Sequence, residues 1–235
     1  ALLCDRRPVG DLVAGSLTTS VERSPSGDVR RLSRGGIVLA PVRGEPGPLI
    51  GRLVGAFAQG GLRARSTVEP AALRWSKLLV NLMGNASGAI VDRDPVSVYR
   101  HAGLFRLERR QLAEALATMA GLGLRPVRLF GADPRLLPIA LRLPAGLVQP
   151  VLVRVVGAGR GGKRPSLHVH LDGGQGPSEV AWLNGAVAEA ATGLGRSAPV
   201  NARLAELVEE CRLDPARRAW FKDRPDRLIE AIGRA

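Results

Sequence analysis

The pattern of apolar residues changes after residue 69, and this change sets the strongest limit on what the chain can fold into. Before it, short β-branched runs such as "IVLAPV" are separated by Gly, Pro and Ser, which predicts antiparallel strands. After it, apolar residues recur at the spacing of a helix face. We therefore predict an α+β chain, with a strand-containing part over residues 1–69 and a helical domain over residues 70–235.

Proline and glycine predict where the helices begin and end. A proline suits the first helical turn, whose amide needs no partner within the helix, and glycine is common just after the last turn. On this basis Pro70 begins the first helix of the helical domain. Periodicity predicts further helices over residues 48–60, 103–121, 178–193, 200–212 and 225–233.

The net charge of +13 comes almost entirely from arginine. One interpretation is a nucleic-acid-binding surface, and the other is a coding bias that places arginine wherever lysine would serve. The arginines are scattered, and aromatic residues that could stack on bases make up only 3% of the chain. We therefore predict no nucleic-acid partner, although a positive field would also suit a small anionic ligand.

Cysteine usage and hydropathy indicate a compartment. Cys4 and Cys211 lie far apart and form no metal-type spacing, which is typical of a reduced, cytoplasmic protein. No apolar run is long enough to span a bilayer, and no basic segment followed by an apolar core is present near residue 1. We expect neither a membrane segment nor a signal peptide.

The segment "RWSKLLVNLMGNASGAI", residues 74–90, places Lys77, Asn81 and Asn85 at spacing i, i+4 and i+8. On one continuous helix they would form a row on one face. A lysine alone could carry its charge to the surface along its apolar stem. Two asparagines in register with it favour a site for a carboxylate, hydroxyl or carbonyl ligand, in which the lysine donates a proton.

A second group of polar residues lies in "KRPSLHVHLDGGQGPSEVAWLNG", residues 163–185. Ser166 follows a glycine-rich loop. Glu179 lies in the first turn of a predicted helix, where a carboxylate could serve the helix dipole or a ligand. His168 and His170 alternate, which predicts one face of an extended segment. A zinc site needs three or four ligands, so we predict no metal site.

These two segments, in this order, resemble ketopantoate reductases. "WSKLLVNLMGNASGAI" resembles that family's helix with a catalytic lysine followed by two asparagines. "PSEVAWLNG" resembles its T/S-E-[IV]-x-x-[IL]-N-G helix start, and "APVN" its later P-x-N turn. The resemblance implies the end of a Rossmann-type domain followed by an all-α C-terminal domain of the 6-phosphogluconate-dehydrogenase type. It also implies NADPH-dependent reduction of a 2-keto acid, typically 2-dehydropantoate to pantoate in coenzyme A biosynthesis.

Transferred residue by residue, the resemblance makes Lys77 the proton donor to the keto oxygen. Asn81, Asn85 and Ser166 would bind the substrate, and Glu179 would help to position cofactor and substrate. The chain departs from the family in two places. "VDRDPVSVY" lacks an asparagine that some relatives use, and the stretch from Ser166 to Glu179 is slightly longer.

The family's strand, G-x-G-x-x-G turn and helix, which together hold the cofactor pyrophosphate, are not predicted in these 235 residues: "GAGRGG", residues 157–162, loosely matches the glycine spacing but precedes no helical pattern. We therefore expect the chain by itself to be incomplete for NADPH binding, with that part missing or on another polypeptide. Three alternatives stay open: a reductase of another 2-keto acid, a non-catalytic helical module that forms a homodimer or complements a nucleotide-binding subunit, and a nucleic-acid-binding protein.

Overall fold

The computed structural model describes residues 12–24, 26–33, 35–42, 47–159, 165–173 and 178–233. The chain forms two compact units, of which the first comprises Ala1–Lys77 and Leu124–Arg135. The second comprises Leu78–Gly123 and Leu136–Ala235. The domain boundary predicted after residue 69 lies at the start of a helix, whereas the units divide inside that helix.

The first unit is built on a small three-stranded sheet. Its strands lie in the order β1 (Val13–Leu17), β4 (Ile37–Pro41) and β5 (Ala64–Ser66). The β1–β4 pair is antiparallel and the β4–β5 pair is parallel. A parallel pair needs a crossover connection, and helix α1 (Pro48–Gln59) provides it. This β–α–β arrangement is the unit from which Rossmann-type sheets are made.

A separate antiparallel ribbon in the same unit joins β2 (Val21–Arg23) to β3 (Val29–Arg31). Strands β1 and β2 are close in sequence, yet they lie in different sheets. The centre of β4 is buried from Val38 to Ala40, whereas β3 is exposed along its length. The burial of apolar side chains therefore stabilises this unit mainly through the three-stranded sheet and not through the ribbon.

Most of the other described residues are helical. Helix α2 begins in the first unit and continues into the second, and the others belong to the second unit. Their bounds are α2 Pro70–Leu82, α3 Ala86–Val91, α4 Pro95–Arg100, α5 Ala102–Gly121, α6 Leu137–Ala140, α7 Ala145–Gly159, α8 Ser166–Leu171, α9 Asn184–Gly193, α10 Pro199–Leu213, α11 Pro215–Phe221 and α12 Pro225–Gly233. A 3₁₀ turn over Glu179–Trp182 precedes α9.

Helix α5 is the centre of the second unit. Helices α4, α9, α10 and α12 pack against it. Its inward face buries Phe105, Leu112 and Met119, and Phe105 packs edge-on against Tyr99 of α4 with ring centroids 5.7 Å apart. With so few aromatic residues, this core is formed mainly by aliphatic side chains, as the composition predicts.

The α+β class is confirmed, since a small sheet precedes a set of packed helices. The predicted bounds of α1, α5, α10 and α12 agree with the structure within about two residues, the usual uncertainty of helix ends. Proline begins α1, α2, α4, α10, α11 and α12. Residues 124–133, in the predicted helical domain, are not helical. None of the helices in the described ranges is long and apolar enough to cross a membrane.

Candidate active site on helices α2, α3 and α8

The lysine helix ends earlier than the sequence predicts. Helix α2 stops at Leu82, and Gly84 adopts a positive φ of 62° before α3 begins. A side chain at Gly84 would be strained, and its Cβ would lie 2.8 Å from the Cβ of Pro95. Lys77 and Asn81 therefore share one face of α2, both half-buried. The prediction that Asn85 continues their row is wrong, because the turn redirects the chain.

Asn85 is the residue that leads into α3, and only 3% of it is exposed. Its Oδ1 accepts a hydrogen bond from the backbone N–H of Leu167 at 3.4 Å. Ser166 is the first residue of α8 and is exposed. The packing of α3 against α8 thus places the Asn85 carboxamide beside the start of the helix that carries Ser166.

Glu179 is exposed at the start of the 3₁₀ turn. The capping bond there is made by Ser178, whose Oγ accepts from the N–H of Val180 at 3.1 Å. Glu179 is therefore not needed as the cap, and its carboxylate faces solvent. The 3₁₀ turn packs against α8, so Asn85, Ser166 and Glu179 lie on three elements in sequential contact.

The two histidines lie on a helix, and the predicted extended segment is wrong. At spacing i and i+2 on α8 they point to different sides. His168 is 2% exposed, with its Nε2 3.8 Å from Oδ1 of Asp92. The other oxygen of Asp92 lies 2.8 Å from Nζ of Lys222. Among the described residues, no group of three or more side chains could hold a metal ion.

The sequence-based reasoning missed a buried polar residue beside the Asn85 turn. Glu108 of α5 is completely buried. Its Oε2 accepts from the N–H of Gly84 at 2.8 Å, and its Oε1 accepts from the hydroxyl of Ser87. The carboxylate therefore bonds to the chain on both sides of Asn85.

Further polar side chains continue from Glu108 along α5. Gln111 Oε1 accepts from Nδ2 of Asn184 at 2.8 Å, and the same Nδ2 lies 3.0 Å from Oδ1 of Asn201. Asn201 donates to Oε2 of Glu114 at 2.8 Å. We call Glu108, Gln111, Glu114, Asn184 and Asn201 the α5 network. Asn184 of "LNG" and Asn201 of "PVN" thus bond helices to each other. The sequence signal for the network was the row of polar residues at 108, 111 and 114, which lie on one face of α5.

Comparison with known proteins identifies the family. The family model described as ketopantoate reductase PanE/ApbA C terminal matches residues 71–212. The chain belongs to this ketopantoate reductase family. All five predicted site residues and the whole α5 network lie inside the matched range.

Among the relatives, the 2-dehydropantoate 2-reductase of Halobacterium salinarum is 27% identical over 214 residues. The match covers 91% of this chain and 64% of that relative, so the chain spans less than two thirds of the relative's length.

Solved structures share the fold. The ketopantoate reductase of Ralstonia eutropha JMP134 is 23% identical with a TM-score of 0.66, over 85% of this chain and 59% of that one. The 2-dehydropantoate 2-reductase of Geobacter metallireducens GS-15 is 21% identical with a TM-score of 0.70, over 88% and 63%. A D-mandelate dehydrogenase with NADH and anilino(oxo)acetate is 16% identical with a TM-score of 0.71, over 90% and 63%.

Proposed function

We propose that this chain supplies the substrate-binding, proton-donating part of an oxidoreductase that reduces a 2-keto acid. The expected substrate is 2-dehydropantoate and the expected hydride donor is NADPH. The observation that carries the proposal is the buried carboxamide of Asn85 held beside the N-terminus of α8, where Ser166 begins the helix. The family match and the name of the Halobacterium salinarum relative support the same reaction.

The roles follow from the chemistry of each side chain. Hydride addition to the carbonyl carbon leaves an alkoxide, which needs a proton in the transition state. We assign that proton to the ammonium group of Lys77. Asn81 lies one helical turn later and would donate from its amide to the substrate. Because Oδ1 of Asn85 accepts from Leu167, we assign its Nδ2 group to a substrate oxygen.

The exposed carboxylate of Glu179 can accept hydrogen bonds from hydroxyl or amide groups, so it suits the ribose or carboxamide of a nicotinamide nucleotide. When bound, NADPH would supply the hydride. No strand followed by a G-x-G-x-x-G turn and a helix is predicted in this sequence, so the cofactor's phosphates have no recognisable cradle in it. The proposal for this chain therefore concerns the substrate end of the site.

The test uses the 235-residue chain fused to the part of the Halobacterium salinarum relative that it does not span. NADPH oxidation is followed with 2-dehydropantoate and with phenylglyoxylate, the keto acid that corresponds to mandelate. Lys77→Ala should lower kcat by about 10²–10⁴, the usual contribution of a general acid. Asn85→Ala should mainly raise KM, because it removes ground-state binding.

Lys222→Ala is the matched control, since it removes a lysine that pairs with Asp92. It should leave kcat within about twofold, because the Lys222 side chain is 59% exposed and has no assigned contact with the substrate. An unchanged kcat in folded Lys77→Ala would make the lysine structural. Absence of activity with every keto acid would favour the non-catalytic helical module, and preference for phenylglyoxylate would favour another 2-keto acid.

We also propose that the protein forms a homodimer through one face of α7. Leu147, Val151 and Val155 are spaced one turn apart on this helix and are 68%, 56% and 43% exposed. Such an apolar face at helical spacing is typical of helix–helix association. A relative from Staphylococcus aureus, 14% identical with a TM-score of 0.57 over 86% of this chain and 62% of that one, is described as a dimeric ketopantoate reductase.

A further inference from the structure

The break between α2 and α3 lies in a buried part of the second unit. Every residue from Leu82 to Val91 is buried. Where a helix ends and another begins, terminal C=O and N–H groups lose their partners within the helix. A buried break without other partners would be costly, because each unsatisfied group loses its bonds to water and gains none in return. The turn's own backbone supplies one bond, from the N–H of Asn85 to the carbonyl oxygen of Leu82 at 3.2 Å, and side chains from elsewhere in the fold supply others.

Helix α5 supplies them with two completely buried side chains. Glu108 accepts from the N–H of Gly84, and Gln111 Nε2 lies 3.3 Å from the carbonyl oxygen of Leu82. Gln111 Nε2 also lies 3.4 Å from Oε2 of Glu108, which orients the carboxylate. The last carbonyl of α2 and an amide of the turn are thus both bonded to one helix that follows later in the chain.

The two oxygens of Glu108 have separate tasks. Oε2 holds Gly84, the residue before Asn85, and Oε1 holds Ser87 in the first turn of α3. With the backbone fixed on both sides, the direction in which the Asn85 side chain leaves the chain is fixed as well. Its Oδ1 then meets the N–H of Leu167 at the start of α8.

We propose that Glu108 is a positioning residue that sets the geometry of the Asn85 carboxamide through the Gly84–Ser87 turn. Glu108 does not contact the substrate in this proposal. It acts on substrate affinity because it holds Asn85, so the inference rests on the substrate-binding role proposed above for Asn85.

A glutamine at position 108 keeps the size of the side chain but has only one acceptor oxygen. If its oxygen keeps the bond from Gly84, its NH₂ group faces Ser87, and the Ser87 hydroxyl must change from donor to acceptor; both bonds also lose the charge of the carboxylate. In Glu108→Gln both anchors of the turn should be weakened and the Ser87 bond reversed, while the rest of α5 stays packed. Ser87→Ala removes only the partner of Oε1, so it is a milder second variant if Glu108→Gln folds poorly.

Glu114→Gln is the matched control, because Glu114 also accepts hydrogen bonds from backbone N–H groups, but at the start of another helix. Its carboxylate accepts from the backbone N–H groups of Val200 and Asn201, both at 3.0 Å, and from the Asn201 side chain. It lies on the same helix α5, but its bonds hold the start of α10. Loss of this anchor should reduce stability without moving Asn85.

The first experiment is independent of activity. In ¹H–¹⁵N spectra of the 235-residue chain, Glu108→Gln should shift the backbone amide of Gly84 and the side-chain amide of Asn85. Ser87→Ala should shift the Asn85 signal in the same direction, and Glu114→Gln should leave both signals in place. Unshifted Asn85 signals in folded Glu108→Gln and Ser87→Ala would overturn the proposal, whatever the enzyme's activity.

The second experiment measures kinetics in the fused enzyme. Glu108→Gln should raise KM for the keto acid by about 10-fold or more, since small misplacements of a binding group cost affinity, with a smaller change in kcat. In the Asn85→Ala background the same substitution should have no further effect on KM, because the group it positions is gone. Glu114→Gln should leave KM within about twofold.

The kinetic outcomes separate the two proposals. Equal KM effects of Glu108→Gln with and without Asn85 would mean that Glu108 acts by another route, which overturns the inference. Shifted Asn85 signals in an enzyme that reduces no keto acid would contradict the proposed function and leave the structural role of Glu108 in place.

Discussion

The thiol of Cys211 is enclosed by the helices of the second unit and is 2% exposed. Burial raises the pKa of this thiol to about 11, and outweighs the guanidinium of Arg217, which acts to lower it. A thiol nucleophile must first ionise, so Cys211 should be inert at neutral pH. At the residue scale, the same burial that completes the packing of α10 suppresses the chemistry of its cysteine.

We predict that the folded Cys4→Ser variant reacts with a thiol reagent at pH 8 at least about 100-fold more slowly than the urea-unfolded chain, because the folded pKa lies well above that pH. Stability should be retained below the thiol's ordinary pKa of 9.0 and fall as pH rises towards about 11, since only the unfolded thiol ionises in that window. Labelling at equal rates in both states would show that Cys211 is accessible.

At the scale of elements, the sequence pattern predicts one continuous helix where the structure has the turn between α2 and α3. The apolar pattern continues through Leu82 and Met83, so a continuous helix is the local expectation. The conformation of Gly84 depends instead on the close approach of Pro95 and on the carboxylate of Glu108. These contacts decide where Asn85 points.

We predict that Gly84→Ala lowers the free energy of unfolding more than Gly123→Ala. Both glycines have a positive φ, 62° and 73°, which costs an alanine about 1–2 kcal/mol. Only at Gly84 would the new Cβ meet a neighbour, Pro95 at 2.8 Å, and such overpacking costs roughly another 1–3 kcal/mol. If urea denaturation gave equal losses of unfolding free energy for the two variants, the turn would have to relax around the new methyl group.

At the scale of the whole molecule, some of the many arginines form ion pairs with glutamates. Arg203 and Arg217 both pair with Glu210, at 2.8 Å, and Arg212 pairs with Glu209 at 2.6 Å. These pairs cancel charge locally on α10 and α11, but the net value of +13 already includes their carboxylates. The absence of a nucleic-acid partner therefore stays a prediction, supported by dispersed charges and few stacking residues.

The proposed dimer face on α7 gives a prediction for the whole molecule. Val151→Glu places a carboxylate in the middle of the apolar face and should convert a dimer to a monomer in size-exclusion chromatography with light scattering, since an unpaired buried charge is costly. Leu213→Glu alters an apolar side chain outside that face, 70% exposed at the end of α10, and should not change the mass. A monomer before mutation would contradict the homodimer.

The sequence by itself determined the α+β class, the bounds of α1, α5, α10 and α12, and the family. Helix periodicity and proline at helix starts depend on neighbours within a few residues, so they can be read locally. The resemblance rested on two short segments in a fixed order, and the family match includes both.

Only the tertiary structure decided the break at Gly84, the helical state of His168 and His170, and the α5 network. Each depends on contacts between residues far apart in sequence: Gly84 with Glu108, Asn85 with Leu167, and Gln111 with Asn184. A buried polar group is favourable only when a partner stands in the right place, and that place exists only after packing. The sequence therefore named Asn85 as a candidate, and packing decided which way its side chain leaves the backbone.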